Sequence, residues 1–155
     1  MIRFKYKPPG TPPATLVAPE GAEGRPTMRL VQFDQETITD EEYQSFEELI
    51  ARFDPQKVNW IDVDGLGDVE LLQKIATQFG LHPLAIEDVL NTAQRPKVEA
   101  FADHYFIVTE IVYPGEGDEL LFEQLSFFLG EKFLVTIQED GGRDVFAKIR
   151  ERLRV

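Results

Sequence analysis

The pattern of helices and strands along this chain changes at Pro96, and that change constrains the fold more than any other feature. Before Pro96, strand and helix patterns alternate: residues 58–63 form a compact apolar run, and Leu72, Ile75 and Phe79 then recur at helical spacing. After Pro96, apolar runs follow one another across short glycine-containing loops, which is typical of antiparallel hairpins. The sequence therefore predicts an α/β domain of three layers, α/β/α, whose mixed parallel and antiparallel sheet ends in an antiparallel meander.

Capping residues indicate where the helices before Pro96 begin and end. Ser45 and Glu48 form a capping box, which predicts a short helix. Asp68 and Gly80 bracket a longer one, as its N-cap and its left-handed C-cap. Pro83 suits the first position of a third helix, which we expect to extend through Leu90.

The two ends of the chain differ from its middle. Residues 1–27 combine an alternating apolar pattern at residues 2–6 with a proline-rich stretch, which predicts a strand followed by an arm. We expect the main domain to comprise residues 28–155. Its last helix is predicted from about Arg143, with Phe146, Ile149 and Leu153 on one apolar stripe. Because that helical pattern continues to the last residue, we expect the chain to be part of a longer protein.

The charge balance restricts the partners that this chain can bind. Lys and Arg total 16 against 28 Asp and Glu, for a formal charge of -12, which argues against nucleic acid and for attraction of cations. Residues 34–48 carry seven of the acids and no base, a pattern that we interpret as a solvated helix face with turns. The chain has no cysteine and no apolar stretch of about 18 residues, so we expect it to be soluble and without thiolate chemistry.

Two adjacent acids, Glu87 and Asp88, lie near the end of the third predicted helix. Carboxylate oxygens are the ligands that Mg²⁺ and Ca²⁺ prefer. Adjacent helical residues point about 100 degrees apart, so this pair cannot chelate one ion as acids four positions apart would. Mg²⁺ usually takes one or two carboxylates and keeps several waters. The sequence therefore predicts a partial metal site that needs further ligands from elsewhere.

A second pair of acids supports an alternative function. Asp62 and Asp64 directly follow an apolar strand and precede Gly65, which is similar to the nucleophile motif of the Mg²⁺-dependent haloacid dehalogenase phosphatases. Leu66 stands where that family prefers Thr or Ser. Turn carboxylates after a buried strand are the plainer interpretation, and both remain open from the residues alone.

Six segments, in order, resemble the cytoplasmic N-terminal domain of the CorA magnesium/cobalt transporter family. They are Trp60-Ile61-Asp62, Gly80-Leu81-His82-Pro83-Leu84, Glu87-Asp88-Val89-Leu90, Gln94-Arg95-Pro96-Lys97, Glu123-Gln124-Leu125-Ser126 and Asp144-Val145-Phe146. The resemblance covers roughly residues 58–153. It implies a non-enzymatic regulatory domain.

The resemblance also implies partners and a mechanism. CorA proteins are homopentamers with two membrane helices per subunit, and a long stalk helix leads from the cytoplasmic domain to the pore. That domain lies at the cytoplasmic face of the inner membrane, where it senses internal Mg²⁺ and gates the channel. By resemblance, Asp88 matches a regulatory ligand between subunits and Glu87 a neighbouring ligand. The remaining ligands are then expected on another protomer or beyond residue 155, so Mg²⁺ binding by this chain alone should be weak.

Overall fold

The computed structural model describes residues 12, 15–22, 24–92, 94–139 and 142–154. In chain order its elements are β1 (Thr27–Phe33), β2 (Ile38–Tyr43), α1 (Phe46–Ala51), β3 (Val58–Asp64), α2 (Val69–Phe79), α3 (Pro83–Leu90), β4 (Lys97–Ala100), β5 (His104–Pro114), β6 (Leu120–Gly130), β7 (Phe133–Gln138) and α4 (Ala147–Leu153). The strand predicted at residues 2–6 lies outside the described residues.

All seven strands belong to one sheet, in the order β2-β1-β3-β7-β6-β5-β4. β3 and β7 are parallel, and every other neighbouring pair is antiparallel. The strands after Pro96 pair in sequence as a meander, so the predicted mixed sheet is confirmed. The parallel pair lies at the centre and aligns Ile61 with Val135.

The main core lies between one face of the sheet and helices α1, α2 and α3. Residues at every second strand position point into it, as expected for a sheet with one face covered by helices. Phe106 and Phe128 are fully buried there, and their rings stack with centroids 4.8 Å apart. The described helices are too short or too polar to cross a membrane.

The predicted caps of the first helices are confirmed. The hydroxyl of Ser45 accepts a hydrogen bond from the backbone N–H of Glu48, and the carboxylate of Asp68 accepts one from Leu71. Gly80 ends α2 with φ of 63°, a left-handed conformation that favours glycine. α3 spans the predicted residues.

The acidic run at residues 34–48 was expected as a helix face with turns, and for β2 that prediction is wrong. β2 pairs along its whole length with β1. Arg29 of β1 donates hydrogen bonds to Asp40 and Glu42 of β2, at 2.8 and 2.9 Å. Opposite charges on paired strands therefore make this acidic segment compatible with a sheet.

The opposite face of the sheet is covered in part by α4. Phe146 packs edge-on against Trp60, with ring centroids 5.1 Å apart. α4 begins at Ala147 rather than near Arg143, because Asp144 accepts a hydrogen bond from the backbone N–H of Phe146 in the preceding turn. Because α4 covers only part of this face, the described residues show the predicted third layer only in part.

The predicted apolar stripe of the last helix is present but only partly covered, since Phe146, Ile149 and Leu153 line one groove on this face of the sheet. Ile149 and Leu153 are 47% and 37% exposed, whereas Arg150 is buried. Arg150 lies among the carboxylates of Asp40, Asp62 and Asp144. A charged residue thus occupies the position against the sheet, because acids from three parts of the chain surround it.

Candidate cation site at the end of helix α3

Helix α3 is fixed at its start and along its buried face. The Nδ1 atom of His82 accepts a hydrogen bond from the backbone N–H of Leu84, and Pro83 occupies the first turn. Ile86 and Val89 are each 1% exposed in the core. Because this face is buried, Glu87 and Asp88 lie on the half-buried side of the helix.

The C-terminal end of α3 carries partial negative charge that no basic residue of the helix offsets. Its last turn contains no Lys or Arg. The side-chain amide of Gln124 on β6 donates to the backbone oxygens of Asp88 and Val89, both at 3.2 Å. An acid at this end of a helix is disfavoured by the helix dipole, and a cation is favoured. The backbone and the Asp88 carboxylate therefore attract positive charge to the same place.

Donors from the segment after α3 approach both carboxylate oxygens of Asp88. The amide of Gln94 donates to Oδ1 at 2.8 Å, and the ammonium of Lys97 donates to Oδ2 at 2.5 Å. The Asp88 side chain remains 24% exposed. The structure thus places the predicted site residue in an internal ion pair at the surface, a contact that the sequence did not reveal.

Lys97 is positioned by the proline before it and by the strand that it begins. Helix α3 ends at Leu90, and Pro96 favours an extended Arg95 directly before β4 begins at Lys97. The ammonium of Lys97 also donates to Glu99 Oε1 at 2.6 Å and lies 5.4 Å from the centre of the Phe106 ring. Burial acts to lower the pKa of Lys97, but the hydrogen bonds with the two carboxylates outweigh it, and the pKa is raised. The Lys97 side chain beside Asp88 is therefore protonated and positively charged at neutral pH.

The residues at this site fit part of a Mg²⁺ coordination shell. In the described parts of the chain, no group of three or more His, Asp and Glu residues could hold a metal ion together. Asp88 and the half-buried Glu87 offer two carboxylates on adjacent positions of one turn. Because these two side chains point about 100 degrees apart on the helix, an ion bound to either one would need its remaining ligands from water or from another chain.

Asp62, the first acid of the alternative motif, has structural partners. Oδ1 of Asp62 accepts a hydrogen bond from Thr136 at 2.6 Å, and Oδ2 lies 3.3 Å from a guanidinium nitrogen of Arg150. Thr136 in turn accepts a hydrogen bond from the Trp60 indole at 2.9 Å. Burial raises the pKa of Asp62, although Thr136 and Arg150 act to lower it. Asp62 thus links α4 to the sheet, and its side chain is only 13% exposed.

The family model for "CorA-like Mg2+ transporter protein" matches residues 55–154. The chain belongs to the CorA family. Over 146 residues it is 34% identical to the cobalt/magnesium transport protein CorA of Thermotoga maritima. That match takes in 94% of this chain and 41% of the relative, so the chain spans about two fifths of the length of that curated CorA.

Solved CorA structures share the fold. The soluble domain of CorA from Methanocaldococcus jannaschii superimposes with a TM-score of 0.51 at 20% identity, over 82% of this chain and 44% of that one. The complete CorA magnesium transporter from the same organism gives 0.55 at 19% identity, over 82% and 36%. The predicted resemblance to CorA is confirmed, and the comparisons give no support to the phosphatase alternative. Proteins of the CorA family are transporters rather than enzymes.

Proposed function

We propose that residues 28–155 form the cytoplasmic Mg²⁺-sensing, gating domain of a CorA-type transporter for divalent cations such as Mg²⁺ and Co²⁺. The observation that carries this proposal is the Asp88 carboxylate, held at the end of α3 with its own cation, Lys97, beside it. This arrangement favours positive charge at a surface position. A divalent ion shared with another subunit is the ligand that it suits best.

Partners for this site are proposed to come from neighbouring protomers of a homopentamer. Asp88 and Glu87 supply at most two carboxylates, so a tight site requires oxygens from an adjacent copy or from stalk and membrane helices of the same chain. The domain would then lie at the cytoplasmic face of the membrane. Mg²⁺ is the regulatory ion in this proposal, and its binding to one isolated domain is weak.

The net charge supports a gating role. Copies of a chain with a formal charge of -12 repel one another when they assemble in a ring. Divalent ions between the subunits relieve that repulsion and so stabilise the closed arrangement over a loosened one. Such a difference in affinity between two states is what a ligand needs to shift their populations. A rise in internal Mg²⁺ therefore closes the channel.

Replacing Asp88 with alanine in a complete transporter that carries this domain tests the proposal. Ion flux through the unaltered protein should fall as internal Mg²⁺ rises, because the ion stabilises the closed ring. Flux through Asp88→Ala should stay nearly constant over the same range. The measurement is flux into vesicles or cells at fixed external Mg²⁺ and varied internal Mg²⁺.

Asp118→Ala is the matched control, because Asp118 is an exposed acid in the loop between β5 and β6, on a different part of the domain. It removes the same charge and should leave inhibition by Mg²⁺ unaltered. If Asp88→Ala is inhibited as strongly as the unaltered protein, Asp88 is not the regulatory ligand.

A further inference from the structure

Lys97 bridges two carboxylates that differ in their surroundings. Its ammonium lies 2.5 Å from Asp88 Oδ2 and 2.6 Å from Glu99 Oε1. Asp88 lies at the end of α3, whereas Glu99 lies two positions further along β4 and is more exposed, at 43% against 24%. Lys97 therefore has a second acid within reach if it loses the first.

A divalent ion and the Lys97 ammonium cannot share Oδ2 of Asp88. Mg²⁺ binds oxygen ligands at about 2.1 Å, which is closer than the ammonium sits now. Two positive groups on one oxygen repel strongly in a partly buried place. The other oxygen, Oδ1, already accepts the Gln94 amide. An ion that binds Asp88 must therefore displace the Lys97 ammonium or the Gln94 amide. The ammonium opposes ion binding more strongly, because it is positively charged.

Glu99 lowers the free energy needed to displace the Lys97 ammonium from Asp88. The ammonium already donates to Glu99 and lies near the Phe106 ring, so it keeps a charged partner and an aromatic contact after it leaves Asp88. The side chain is 26% exposed, which leaves room for the ammonium to move toward solvent. The exchange therefore leaves no buried charge unpaired.

We propose that Lys97 is a resident competitor of the divalent cation at Asp88, and that its transfer to Glu99 sets the Mg²⁺ concentration at which the site fills. The inference rests on the proposed function of Asp88 and assigns the regulation of that site to a residue that is not a metal ligand. At low Mg²⁺ the ammonium neutralises Asp88. At high Mg²⁺ the ion replaces it, and Lys97 pairs with Glu99 alone.

Mg²⁺ titration of the 155-residue chain tests the competition, with the carboxyl carbon of Asp88 followed by NMR. Lys97→Met removes the charge and keeps the apolar stem, so it should bind Mg²⁺ about tenfold more tightly at Asp88. Lys97→Arg retains a competing cation and should stay within about twofold of the unaltered chain. Glu99→Gln removes the second partner and should weaken Mg²⁺ binding.

Arg95→Met separates competition from a general effect of charge. Arg95 is exposed on the same segment, and its replacement changes the net charge as Lys97→Met does. Competition predicts a change below about twofold for Arg95→Met, because screened charges at the surface interact weakly. Equal tightening in both variants would overturn the proposal and leave only a charge effect.

The outcomes also separate this inference from the proposed function. If the Asp88 signal moves with Mg²⁺ in the unaltered chain and Lys97→Met leaves the affinity unchanged, the competitor role is wrong and Asp88 remains a ligand. If the Asp88 signal does not move in the chain or in any variant, both are wrong. Circular dichroism of each variant confirms that the comparison is made between folded chains.

Discussion

Replacing Arg150 with methionine is expected to lower the free energy of unfolding by about 3 to 5 kcal/mol, which is typical of the loss of one partner from a buried ion pair. The Arg150 side chain is 6% exposed, and the Asp40 and Asp62 side chains are 4% and 13% exposed. Methionine fills much of the volume of the arginine side chain. The loss of stability therefore comes mainly from the missing charge and less from a cavity. Chemical denaturation measures it.

Of the three acids around Arg150, Asp62 is the one most destabilised when the guanidinium is removed. Asp40 keeps hydrogen bonds from Arg29 and Arg154, and Asp144 is about half exposed, so water can solvate it. Asp62 keeps only the Thr136 hydroxyl among the contacts described above. Adding Asp62→Asn to Arg150→Met should therefore restore part of the lost stability, because the amide carries no charge and its oxygen can still accept from Thr136.

Arg152→Met is the control for this prediction. Arg152 lies on the exposed side of the same helix, so its replacement should change stability by no more than about 0.5 kcal/mol. Equal effects of the two substitutions would show that the buried position of Arg150 does not matter, and the assigned role in docking α4 would be wrong.

The penalty of Arg150→Met should depend on pH. Burial raises the pKa of Asp62, and Arg150 opposes that rise, so the variant should raise the pKa further. An acid with a raised pKa in the folded state favours folding when it is protonated. The stability deficit should therefore shrink as the pH falls from neutral through the raised pKa of Asp62. A deficit that grows on acidification would contradict this assignment.

Phe128→Ala is expected to lower the free energy of unfolding by about 3 to 5 kcal/mol, as for other large aromatic residues removed from a core. Phe128 is 0% exposed and stacks on Phe106. Its neighbour on β6, Leu129, points to the opposite face and is 44% exposed. Leu129→Ala is therefore a matched control, with an expected loss of about 1 kcal/mol or less. Similar losses of stability in the two variants would contradict the placement of Phe128 in the core and of Leu129 on the opposite face of the sheet.

The elements that the sequence predicted well are those with local signals. The caps at Ser45, Asp68 and Gly80 and the proline at the start of α3 act within one turn, and the structure has all four. The glycine-containing turns after Pro96 predicted the meander. β2 and Arg150 were missed because both are stabilised by opposite charges on other elements. Arg29 on the paired strand β1 offsets the acids of β2, and Asp40 and Asp62, which are far away in sequence, surround Arg150.

For the candidate site too, only the local features could be predicted from the sequence. The two acids at the end of α3 could be found from their residue type and position. Their partners could not, because the contact between Asp88 and Lys97 depends on how the chain turns at Pro96 and on where β4 joins the sheet. The role of Asp88 and Glu87 as metal ligands stays a prediction.

A Mg²⁺ titration that follows every Asp and Glu carboxyl carbon of the unaltered chain by NMR tests the central claim most directly. Sensing at α3 predicts that Asp88 responds first, with Glu87, and saturates at millimolar Mg²⁺, while the acids of residues 34–48 shift little. Equal, unsaturated shifts over all exposed acids would contradict a specific site, since they would report only the attraction of cations to an acidic surface.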